Sequence, residues 1–204
     1  MSNLESIKTY TKEPNAVNYL FSDNRFKTLG RKERFKIIKY QDLWFNILVD
    51  FHKLLKNSKI ILELYPSMAG QIRGTLTEEV TILEEKYKGE SFFYKTTNNT
   101  NGYNFLFSIH DYNDLDDLIY RYSESYQLII YFVNDKFDFN NVISAVIQGD
   151  TVSRTEQFDT FSNIGCELIA EFNSIAIEMK ITTLKKYEGN IFLLLQDYKN
   201  KQEL

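Results

Sequence analysis

One cysteine, two prolines, two histidines and eight glycines are all the chain has of the residues that staple, break, ligate or hinge a fold. A lone thiol, Cys166, closes no internal disulfide, so nothing points to an oxidising compartment. One Cys and two His cannot supply the usual four Cys and His ligands of a structural zinc site. The scattered glycines form no phosphate-cradling loop of the Walker or dinucleotide type. A Gly-x-Ser-x-Gly elbow for a serine nucleophile is also absent. The longest apolar runs, Leu128 to Val133 and Ile191 to Leu195, fall far short of the about 20 residues that span a bilayer. The opening Met-Ser-Asn-Leu-Glu-Ser has neither an apolar core nor a small-residue cleavage site, so a signal peptide is not expected. The reading is of a cytoplasmic chain with no membrane partner.

What is present is ample material for a core. The 204 residues include 16 Phe, 14 Tyr and one Trp, with many Ile and Leu. A chain of this size buries roughly 70% of its unfolded surface on folding, enough for one domain spanning 1–204 without a staple or a metal.

The net charge of −4 is unevenly spread. Residues 1–40 hold nine Lys or Arg against four acids, and the remainder holds 15 against 24, or −9. Residues 1–30, polar and ending at Gly30, read as an irregular basic and polar arm with at most a short helix.

Apolar periodicity supplies the elements. Phe35, Ile38, Trp44, Ile47, Leu48, Phe51, Leu54 and Leu55 recur at spacings of three and four, predicting a long N-terminal helix over about 31–56. Lys59 to Tyr65, Gln71 to Thr77, Val80 to Tyr87, Ser91 to Thr97 and Tyr103 to Ile109 read as a meander of strands. Asn101-Gly102 marks a hairpin, because both residues tolerate positive φ. Asn113 is placed to cap a short helix carrying Leu115, Leu118, Ile119 and Tyr122. Tyr126 to Val133 is the continuous β-forming run of a central strand covered on both faces. Asp138 caps a helix through Ile147, with Gly149 as its stop. Ile164 to Phe172 and Ile175 to Ile181 form a hairpin about Asn173-Ser174, and a last helix runs from about Thr183 to Lys199. The order predicts an α+β fold, a mostly antiparallel sheet packed against the N-terminal and C-terminal helices.

Candidate chemistry is sparse. His52 falls at the edge of the helix's apolar face, where a partly exposed structural role is the simpler reading. His110 ends a strand ahead of Asp111, Asp114, Asp116 and Asp117, where an acid and an imidazole could hold a metal or move a proton. Those aspartates equally suit a helix N-terminus, and their spacing misses the calcium-loop pattern. Cys166, inside a predicted strand, reads as a small buried hydrophobe.

Ile175-Ala176-Ile177-Glu178-Met179-Lys180 is an apolar strand ending in Glu-x-Lys, followed by a helix. This resembles the signature half-motif of the PD-(D/E)xK nuclease superfamily over about residues 164–199. The resemblance implies a divalent metal held by Glu178 and an acid of the preceding strand, with Lys180 activating water or stabilising charge. The family's Asp is missing from that strand, where Glu167 or Glu171 stands instead.

Two surfaces complete the reading. Arg25, Lys27, Arg31, Lys32, Arg34, Lys36 and Lys39, interleaved with Phe26, Phe35 and Tyr40, could track a phosphate backbone or dock on the chain's own acidic body. The acidic, Tyr- and Phe-rich remainder suits capture of a basic protein: rings supply anchoring area and carboxylates steer the encounter. Small, acidic, aromatic chains without catalytic residues are similar in character to immunity and antitoxin proteins. The favoured function is therefore a non-enzymatic binding module needing no cofactor and no metal, its contacts Asp111, Tyr112, Asp114, Asp116 and Asp117. The alternative is a metal-dependent nuclease using Glu167, Glu171, Glu178 and Lys180.

Overall fold

The computed structural model describes residues 8–10, 15–22, 39–56, 58–65, 81–82, 85–87, 90–94, 104–115, 127–148, 154–173 and 178–202. Among these, eight strands form one sheet: β1 (Lys8–Tyr10), β2 (Ala16–Ser22), β3 (Lys59–Tyr65), β4 (Ser91–Tyr94), β5 (Asn104–Ile109), β6 (Gln127–Val133), β7 (Cys166–Asn173) and β8 (Glu178–Leu184). Their spatial order is β1-β2-β8-β7-β6-β3-β5-β4, and each neighbouring pair runs antiparallel. Four helices accompany them: α1 (Lys39–Leu54), α2 (Phe139–Gln148), α3 (Phe158–Asn163) and α4 (Glu188–Gln202). This is the α+β fold that the element order predicts.

Alternation along the strands divides the core in two. Ile60, Leu62 and Leu64 of β3, Phe105 and Phe107 of β5, Ile130 and Phe132 of β6 and Met179 and Ile181 of β8 pack with Ile47, Leu48 and Phe51 of α1 and Ile191 and Leu195 of α4. Ile61, Leu106, Ile129, Tyr131 and Ile169 point the other way, onto Val142, Ala145 and Val146 of α2 and Phe158 and Phe161 of α3. The sheet therefore lies between α1 with α4 and α2 with α3. β6 is buried on both faces from Ile129 to Val133, which is why that stretch is an unbroken run of large apolar and aromatic residues.

Several predicted elements are corrected. The predicted irregular arm is strand at Lys8–Tyr10 and Ala16–Ser22. Val17, Tyr19 and Phe21 alternate into the α1/α4 core, and β2 pairs with β8 along its whole length. Of the predicted long N-terminal helix, Lys39–Leu54 is described, and 31–38 lie outside the described residues. The predicted strand over Val80 to Tyr87 is helical at 81–82 and 85–86 instead. There the adjacent Thr81 and Ile82 are both exposed, as are Glu85 and Lys86, so the run does not offer a strand's alternating face. Gln71 to Thr77 and Asn101-Gly102 lie outside the described residues, although β4 and β5 pair as that hairpin requires. The β7–β8 connection spans 174–177 rather than Asn173-Ser174, since Asn173 pairs with Glu178. β8 then continues through Leu184, so the last helix starts at Glu188, not Thr183. Thr182 and Thr183 are β-branched and buried, which favours the strand.

Candidate functional site

The predicted partner-binding residues gather where β5 ends. Asp111, not Asn113, caps the helical turn at 112–115: its Oδ1 accepts the Asp114 backbone N–H at 2.9 Å. The capping carboxylate is exposed, and the cap holds it in place. Tyr112 is half-buried and held twice. Its ring stands edge-on to Phe45, centroids 6.4 Å apart, and its hydroxyl meets Nδ1 of His52. The other ring nitrogen of His52, Nε2, meets the Ser58 carbonyl, which only accepts. Nε2 therefore carries the proton, and in the neutral ring Tyr112 donates to Nδ1. Burial, reinforced by the carboxylate of Asp50, raises the Tyr112 pKa above the ordinary tyrosine range.

Asp114 is bound to Lys86 Nζ at 2.7 Å. That bond is also the main reason the Lys86 pKa is raised. His110, exposed, contacts Glu90. Asp116 and Asp117 lie outside the described residues, as do Arg25, Lys27, Arg31, Lys32, Arg34 and Lys36.

The residues of the nuclease half-motif are only partly brought together. Register sets Glu171 of β7 directly opposite Lys180 of β8, and Asn173 opposite Glu178. Met179 and Ile181 point into the α1/α4 core, so Glu178 and Lys180 share the opposite face with Glu171. Glu178 is the first residue of β8 as described, and Ile175 to Ile177 lie outside the described residues. Lys180 is exposed and Glu178 half-buried, while Glu171 is buried and accepts Thr155 N–H at 3.4 Å and Thr155 Oγ1 at 3.3 Å.

Glu167 stands apart. Phe132 pairs with Leu168 and Val133 with Cys166, leaving Glu167 as the extra residue of a β-bulge. Its carboxylate takes Lys186 Nζ at 2.9 Å and the Tyr187 hydroxyl at 3.1 Å. Cys166 is buried, and burial drives its thiol pKa far up, away from nucleophilic use. Among the described residues, no three His, Cys, Asp or Glu side chains are grouped to hold a metal ion.

The most heavily bonded polar cluster is one that sequence reasoning missed. Glu63, in the middle of β3, is 0% exposed, and Arg154, in a 3₁₀ turn at Arg154–Gln157, is 3% exposed. Arg154 grips the carboxylate with two donors, Nη2 to Oε1 at 2.9 Å and Nε to Oε2 at 3.2 Å. The hydroxyls of Tyr94 and Tyr131 donate to Oε1 and Oε2 respectively. Arg154 also reaches Gln157 Oε1 and the Val146 carbonyl, each at 3.2 Å. That carbonyl belongs to the last turn of α2, where carbonyls lack helical partners and cations are favoured. The one signal in the sequence is an acid inside the mostly apolar strand Lys59 to Tyr65, which needs a partner once it is buried. The partner, 91 residues away, is not signalled.

The chain matches no family model, no curated protein and no solved structure in comparisons with each. Among the described residues, no helix is long and apolar enough to cross a membrane.

Proposed function

We propose that the chain is a non-enzymatic protein-binding module of the cytoplasm, an immunity- or antitoxin-like inhibitor that captures a basic partner. The observation that carries this reading is the 110–115 turn. There an exposed carboxylate, Asp111, is fixed by its own capping bond, beside a tyrosine held by His52 and Phe45. Pre-set acidic and aromatic groups lose little freedom on binding, and so suit recognition of a cationic surface. Glu90 and Asp114 extend the acidic character of the turn, with Lys86 as an internal counter-charge. The test is capture from cognate lysate by wild type and by Asp111→Lys/Tyr112→Ala. A basic protein retained by the first and lost by the second supports the reading; equal retention overturns it.

A second reading, a metal-dependent nuclease, is favoured by the register that sets Glu171 opposite Lys180 with Glu178 on the same face. In that reading the segment from Arg25 to Lys36 grips nucleic acid. Calorimetric titration of Mg²⁺ and Mn²⁺ into wild type and Glu178→Ala tests it. Binding at low-millimolar or tighter affinity that the variant loses supports the nuclease, and its absence removes it.

A further inference from the structure

The 3₁₀ turn and α3, residues 154–163, lie across the α2/α3 face. Phe158 and Phe161 are the apolar anchors. Two consecutive residues bond through their side chains to the sheet, Arg154 to Glu63 and Thr155 to Glu171. Register explains the pairing. Ile129 is opposite Glu63 on one side and Glu171 on the other, so the two buried carboxylates stand in one cross-strand row. They lie two strand spacings, roughly 10 Å, apart. Arg154 and Thr155 thus meet two anion posts set across three strands, and Arg154 also ties down the end of α2 through Val146.

The geometry points to a strap: residues 154–163 form a unit that detaches from the sheet while the rest of the fold stays intact, with the Arg154–Glu63 and Thr155–Glu171 bonds as its latch. A short helix with two apolar anchors has less to hold it than the strands beneath, and elements of that kind open below the global unfolding energy. The latch lowers the population of the open state. It does so under either function proposed above.

Cys166 reports on the opening. It is the sole cysteine, is buried, follows the strap after two residues, and packs in the same cluster as Phe158 and Phe161. The experiment is labelling of Cys166 in the full chain with excess DTNB as urea is raised, beside global unfolding followed by circular dichroism. In wild type the urea dependence of labelling is expected to be well below that of global unfolding, because only a strap's worth of surface is exposed. Thr155→Val removes one bond to a buried carboxylate and should speed labelling about tenfold. Arg154→Lys should speed it more. If Arg154→Lys does not fold, wild type and Thr155→Val still decide. Phe51→Leu, on the opposite face, should leave the labelling rate in water unchanged. Labelling that parallels global unfolding, or a Thr155→Val rate equal to wild type, overturns the strap.

Discussion

Glu63 carries a formal charge at the centre of the sheet, and four donors from three separate segments make that tolerable. Losing one partner should therefore cost far more than losing both. Arg154→Met alone leaves an uncompensated buried carboxylate and should lower stability by about 3–5 kcal/mol. Glu63→Leu/Arg154→Met, which removes both charges, should recover much of that loss. Urea denaturation of the wild type, both single variants and the double variant checks this; a double variant as unstable as the sum of the singles would contradict it. Tyr19 gives a pH prediction. Burial, then the Glu188 carboxylate, raises its pKa from 10.0 to about 12, and its hydroxyl donates to the Glu188 carbonyl at 2.8 Å. The folded chain thus keeps a proton that the unfolded chain has begun to lose. That contribution is whole below pH 10, declines as pH rises, and is gone above about pH 12. Tyr19→Phe should flatten the fall in stability across that window in pH-dependent thermal melts. Local features at this scale were legible: Asp138 caps α2, its Oδ1 accepting Asn140 N–H at 2.9 Å, as its place ahead of an apolar periodic run predicts. Asp111 displaced Asn113 as cap because both are good acceptors two residues apart, and only the packing of Tyr112 and Leu115 separates them.

Among elements, those with a clean period were legible and those set by distant pairing were not. β3 runs from Lys59 to Tyr65 as alternation indicates, and β6 is the twice-covered strand its unbroken apolar run demands. β2 was overlooked because Ala16 to Ser22 sits in a polar, basic stretch, and pairing with β8 gives it its place. The strap gives no helix signal in the sequence, because Phe158 and Phe161 are too few to show a period. The carboxylates of the candidate sites were visible as residue types, but their grouping depends on register. Glu171 stands opposite Lys180 because Asn173 pairs with Glu178, and the bulge takes Glu167 out of the set. The turn between α3 and β7 yields a sharp test. Gly165 has φ +100°, and a Cβ there would stand 2.8 Å from Asn134 Oδ1, which already accepts Lys136 N–H. Gly165→Ala should cost about 1–3 kcal/mol, read as a lower urea midpoint with unchanged slope.

At the scale of the whole molecule, the feature with most bearing on function is the separation of charge, a surplus of five basic residues in 1–40 against −9 in the rest. An acidic body steers cationic partners toward it, and the steering weakens as salt rises. Charge and composition are what suggested a basic partner, whereas the surface proposed to meet it depends on the placing of Asp111, Tyr112 and Asp114 by a cap, a histidine and a lysine. The most direct test is capture from cognate lysate by the immobilised chain at low and at high salt, with Asp111→Lys/Tyr112→Ala alongside. The account predicts a basic protein retained by wild type, bound more slowly at high salt, and lost by the variant. Retention of nothing by wild type, or of the same proteins by both chains, would contradict it.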